Sequence, residues 1–150
     1  MSDEPMPQCQ FEREKLVVRL HFTIRAEVKA ISPVVEGAMK IVREMECAEG
    51  KEFEIETALR EALANAIKHG CQNDCSRYVE CCVACDESRG MLIVVRDPGP
   101  GFDPASLPSP THGQNIFAEH GRGIYLINQL MDEVEVKIER GGTEIHMRKY

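Results

Sequence analysis

The sequence carries no surplus of positive charge. Its 18 Lys and Arg are outnumbered by 25 Asp and Glu, giving a net charge of −7 and a pI near 5.3. Such a chain is repelled by a phosphate backbone, so nucleic acid is not expected as a direct partner. No apolar run is long enough to span a bilayer, which takes about 20 residues; Met91 to Val95 is the clearest and is far too short. Met1 to Gln10 is acidic and proline-bearing, without the basic and apolar regions of a signal peptide. These absences together predict a cytoplasmic protein with no membrane contact. No internal repeat is visible either. What remains, 43% hydrophobic and 29% charged over 150 residues, fits one soluble domain with a real core. The expected organisation is a short tail over residues 1–10 and a single domain over 11–150.

Seven cysteines without a secretory signal imply reduced thiols. Cys82 and Cys85 form a CxxC with Cys71 and Cys75 nearby, which is the raw material of a zinc site. However, Cys81, Val83 and Cys85 alternate with Cys82 and Ala84 as a strand would, sending the thiols to opposite faces. Small buried thiols are the expectation, not metal ligands.

The chain is organised around residues 55–70. At 3.6 residues per turn, Ile55, Leu59, Ala62, Leu63 and Ala66 share one apolar arc. Glu61 and Asn65 stack one turn apart on its polar flank, with Asn65 nearer the apolar edge. A carboxylate there can accept a proton, and a carboxamide can offer a neutral oxygen to a hard cation. Gly70 suits the left-handed position beyond a helix end.

Around that helix the pattern predicts strands at Lys15–Arg25, Ser76–Asp86 and Met91–Arg96. Ser32-Pro33 reads as a helix start, with a capping hydroxyl, and Val34, Val35, Ala38, Ile41, Val42 and Met45 as that helix's buried stripe. From Asp97 to Gly121 the chain is rich in Pro, Gly and Ser without periodicity, which suggests a functional lid. A third helix follows, and then a hairpin turning at Gly141-Gly142. The predicted fold is α+β, a two-layer sandwich of a mostly antiparallel mixed sheet with three helices on one face.

Asp97 directly follows an apolar strand, and its acceptor oxygens suit an amino donor such as that of adenine. Gly99 and Gly101 let the backbone approach a flat ligand. Gly121-x-Gly123 at a helix start offers free amides and a positive dipole end to phosphate. Each signal alone is weak.

In this order, EALANAIKHG (61–70), VVRDPGPGFDP (94–104) and GRGIYLINQLMDEVEV (121–136) running into GGTEIHM (141–147) resemble the N, G1 and G2 boxes of the GHKL ATPase superfamily. Within it the chain is most similar to the stand-alone anti-sigma-factor serine kinases of bacteria. A histidine kinase would need a phosphoacceptor helix ahead of the first strand, for which residues 1–10 leave no room. The resemblance implies a histidine-kinase-like ATPase fold with an ATP lid, and ATP and Mg²⁺ as cofactors. It implies that Asn65 ligates Mg²⁺ and that Glu61 is the general base for a serine hydroxyl. Asp97 would read adenine, with Gly99 and Gly101 shaping the pocket and Thr143 assisting from the sheet. The amides of Gly121, Arg122 and Gly123 would hold phosphates. The implied partners are a sigma factor and a small anti-anti-sigma protein of the STAS type, and the implied assembly is a homodimer. One position departs from the family. Relatives place an arginine two residues before Gly121 to reach the terminal phosphate; here it is Glu119, and Arg122 is the arginine at hand. That leaves a second reading: a nucleotide-dependent partner-binding module with little or no kinase activity.

Overall fold

The computed structural model describes residues 16–86, 90–99, 119–139 and 141–150. Alternation builds the sheet. In β1 (Leu16–Arg25), Leu20, Phe22 and Ile24 turn inward while Arg19, His21, Thr23 and Arg25 are exposed. β2 (Tyr78–Asp86) and β3 (Gly90–Asp97) are apolar on both faces and therefore central. β4 (Glu133–Glu139) and β5 (Gly142–Lys149) form the closing hairpin, whose Gly141 sits at φ +85, where a side chain would be strained. The strand order is β1-β2-β3-β5-β4. Every pairing among the described residues is antiparallel, so the parallel component of the expected mixed sheet is absent there. One register row crosses the whole sheet: Leu20, Val83, Ile93, Met147, Val134.

That row faces the helices. After a 3₁₀ turn (Val28–Ala30) come α1 (Ile31–Glu44), α2 (Glu52–Asn65) and, much later, α3 (Glu119–Leu130). α2 is the middle helix, packing on both α1 and α3. Its arc of Ile55, Leu59, Ala62, Leu63 and Ala66 is fully buried against the inner residues of β2, β3 and β5. Truncating Leu63 to Ala there costs about 2–5 kcal/mol. Arg60, held by Glu56 one turn earlier on α2 at 3.1 Å, ties α2 to α1 by donating to Ser32 Oγ at 2.9 Å. Lys149 Nζ donates to the carbonyl of Leu130 at 2.7 Å, satisfying one of α3's last carbonyls from β5.

Three sequence expectations need correcting. Ser32 does not cap α1: the 3₁₀ turn winds directly into the helix, and Ile31 N–H donates to the Val28 carbonyl, so no hydroxyl is required. Ile41 and Met45 are 40% and 46% exposed, because Met39 fills the space between Val35 and Val42 instead. One cysteine departs from the expected reduced state: Cys82 is disulfide-bonded, whereas Cys47, Cys71, Cys75, Cys81 and Cys85 are in the thiol form. The predicted alternation does hold. Cys81 and Cys85 lie in the inner core, and Cys82 lies with Ala84, Leu92 and Val94 in a separate buried cluster on the other face. Among the described residues no helix is long and apolar enough to cross a membrane.

Candidate functional site

The C-terminal end of β3 delivers Asp97 to the inner face of the sheet, where it is only 6% exposed. Its Oδ1 accepts a 2.8 Å hydrogen bond from the Gly99 N–H. Burial pushes this carboxyl up to about 6, with the Gly99 bond pulling the other way. The neighbouring Cys71 thiol is pushed up to about 11, chiefly by burial and then by the charge of Asp97.

Glycines wall this carboxylate in. α2 does not simply stop but widens into a π-helical turn, Ala66–Gly70, closed by Cys71 N–H on the Ala66 carbonyl at 2.8 Å. The turn presses Gly70 against Asp97, so that a Cβ on Gly70 would collide with the carboxyl group. A Cβ on Gly99 would in turn strike the Gly70 backbone, its Cα lying 2.7 Å away. A Cβ on Gly142 would come within 2.6 Å of the Asp97 carbonyl oxygen. Gly70 is thus needed for close approach, not for a left-handed backbone as the sequence suggested. The left-handed residues past the helix are Gln72 and Asn73, at φ 54 and 58.

Across the β3–β5 pair the partner of Asp97 is Thr143. Thr143 is 2% exposed, and among the described residues its Oγ1 has no hydrogen-bond partner. A buried, unpaired hydroxyl beside a buried carboxylate suits a flat heterocycle that carries an amino group next to a ring acceptor. The first would be met by Asp97 and the second by Thr143.

Asn65 is the last residue of α2, buried at 8% exposure, and leads into the π turn that packs on β3. Glu61 lies one turn earlier and is half-buried. Gly121, Arg122 and Gly123 fall early in α3, which begins at Glu119 and packs on α2. The side chains of residues 119–123, Gly101 and the expected lid over 100–118 lie outside the described residues. Among the described residues no group of three or more His, Cys, Asp or Glu is placed to hold a metal. Reasoning from sequence missed Gly70 and Gly142 as walls of the Asp97 pocket. Their signal was a glycine directly after a helix motif and a second glycine in a turn that needs only one.

Residues 24–149 match the histidine kinase-like ATPase domain family. The chain is similar to the serine-protein kinase RsbW of Bacillus licheniformis, 34% identical over 103 residues that cover 65% of this chain and 63% of that protein. An anti-sigma F factor of Bacillus thuringiensis (strain Al Hakam) is 36% identical over 101 residues, 65% of this chain and 68% of the relative. In three dimensions the chain resembles a crystal structure of the RsbU and RsbW domains of a Mycobacterium tuberculosis protein. The TM-score is 0.64 at 18% identity, covering 88% of this chain and 31% of the other. The match to RsbW thus spans less than two thirds of that relative's length. The family match runs from the end of β1 through β5 and takes in all three helices, and this chain belongs to the histidine kinase-like ATPase domain family.

Proposed function

We propose that this protein is an ATP-binding anti-sigma regulatory factor. In this reading it also acts as a serine/threonine protein kinase on an anti-anti-sigma protein of the STAS type. The observation that carries the nucleotide half is the Asp97–Thr143 pair, a carboxylate and a hydroxyl without a partner among the described residues, buried in a slot walled by Gly70 and Gly99. Adenine fits that chemistry: its amino group donates to Asp97, and the Thr143 hydroxyl serves a ring nitrogen. ATP, when bound with Mg²⁺, supplies the phosphoryl group for transfer.

The chain's own residues do the rest. Asn65, at the buried end of α2, offers a neutral oxygen to the cation. Glu61, one turn away and half-buried, takes the proton from the acceptor serine. Gly121 to Gly123 lie just inside the start of α3, and in this reading that helix end meets phosphate with its amides and positive dipole. Arg122 takes the cationic role that Glu119 cannot fill, and Gly101 shapes the slot with Gly99. A sigma factor is the second partner, held away from transcription in the cytoplasm by a homodimer of this chain.

Glu119 is also the observation behind a second reading, in which the same fold binds a partner under nucleotide control and transfers little or no phosphate. Incubation with radiolabelled ATP, Mg²⁺ and a serine-bearing STAS-type protein separates the two. The kinase reading requires label on that serine, a loss of about 10² or more in Glu61→Ala, and nucleotide affinity kept within a few-fold. It also requires Arg122→Ala to lose ATP affinity relative to ADP. An unlabelled acceptor with intact nucleotide binding favours the binding module.

A further inference from the structure

Where α1 turns into α2, large apolar side chains stand in water. Phe53 is 74% exposed, the most of any large hydrophobic among the described residues, and Met45 and Ile41 are 46% and 40% exposed. Ile41 and Met45 lie one turn apart at the end of α1, and Phe53 lies in the first turn of α2. Arg43 donates to Glu56 across the two helices at 3.1 Å, which holds these ends side by side. Single exposed apolar residues are ordinary. A group of them gathered at one end of a helical hairpin, with an aromatic at its centre, marks a contact surface.

The turn itself is firmly built. Cys47 N–H donates to the Val42 carbonyl at 3.1 Å and Glu46 N–H to the Arg43 carbonyl at 3.0 Å. These are the paired bonds that close a helix around a left-handed residue. That residue is Glu46, at φ 56, where a glycine would sit without strain. The glutamate keeps a carboxylate beside Met45, and it belongs to a rim. From Glu44 to Glu54 the chain has five Glu against one cation, Lys51. Glu44, Glu46 and Glu49 are exposed, and the exposed Arg43 is engaged by Glu56.

We propose that this apolar patch docks a basic amphipathic helix of a partner protein. The sign of the rim chooses among occupants. It repels anionic lipid and nucleic acid, and it repels a second copy carrying the same rim. A helix with an apolar stripe at i and i+4 and lysines or arginines beside it satisfies both halves. The stripe covers Phe53, Met45 and Ile41, and the flanking cations meet Glu44, Glu46 and Glu49. Phe53 is near the start of α2 and Asn65 at its end, about 18 Å along the axis. Docking therefore leaves the Asp97 slot open, and the proposal rests on neither the nucleotide nor the kinase reading.

Fluorescence anisotropy of the full chain with a labelled amphipathic helical peptide of leucine and lysine tests this. Binding should be saturable and weaken with salt, and a leucine–glutamate peptide of the same pattern should not bind. Phe53→Ser and Met45→Ser should each weaken it about tenfold or more, and Glu49→Lys about threefold. Ile138→Ser, at an apolar residue 44% exposed on β4, is the control and should bind like the parent. Melting temperatures should stay with the parent, because Phe53 and Met45 are largely in water. Absent binding, undiminished binding by Phe53→Ser, or an equal loss in Ile138→Ser overturns the proposal. So does Phe53-dependent attachment to phosphatidylglycerol vesicles, or Phe53-dependent self-association in sedimentation, in place of peptide binding.

Discussion

Thr143 stands directly across the β3–β5 pair from Asp97, and both are buried on the helix-covered side of the sheet. Asp97 has the Gly99 N–H as a partner, and Thr143 Oγ1 has none among the described residues. An unpaired buried hydroxyl costs about 1–3 kcal/mol, and desolvating a carboxylate adds to that. Folding stability alone does not favour such a pair. Binding does.

Thr143→Val therefore separates the two. The change is close to isosteric and removes an unsatisfied group, so thermal stability of the ligand-free protein should hold or rise slightly. ATP affinity should fall about tenfold, as for one lost hydrogen bond. A large drop in melting temperature would mean that the hydroxyl is structural.

Asp97 gives stability a predictable pH dependence. Its carboxyl is raised from 3.8 to about 6 in the folded state, so folding favours the protonated form. Its contribution is best at low pH, is lost as pH rises from about 4 to about 6, and is flat above that. A rise of this size in a carboxyl's pKa is worth about 3 kcal/mol. Urea denaturation of the parent and of Asp97→Asn across this range should show the parent falling behind as pH rises. The variant should be the more stable of the two at pH 7. Parallel curves would contradict the placement of a buried charge there.

Gly70→Ala forces a methyl group into the Asp97 carboxyl and should cost about 1–3 kcal/mol with loss of ATP binding. Gly37→Ala is the control. Gly37 lies exposed in α1 with nothing within 4 Å of a new Cβ, so the change should stabilise by up to about 1 kcal/mol and leave binding alone. Equal effects of the two substitutions would show that the slot around Gly70 is not tight.

Much of this architecture is readable in the sequence because periodicity is a direct imprint of burial. The arc from Ile55 to Ala66, the alternation from Leu20 to Ile24, and the split of Cys81 from Cys82 all appear as written. What is not readable depends on contacts between distant residues. Nothing local reveals that α2 widens into a π turn, or that Gly70 is small because Asp97 lies against it. The phase of α1 is ambiguous between Ile41 and Met39 until the sheet decides it. The burial of Cys82, Ala84, Leu92 and Val94 marked β2 and β3 as central but not what covers their outer side.

The central claim is that Asp97 sits where adenine is read. Calorimetric titration of ATP with Mg²⁺ into the parent protein and Asp97→Asn at pH 7.5 tests it most directly. The substitution keeps the shape and the Gly99 contact but turns an acceptor into a donor facing an amino group. The account predicts saturable one-to-one binding by the parent and a loss of about 2 kcal/mol, roughly thirtyfold, in the variant. Equal affinities would contradict it.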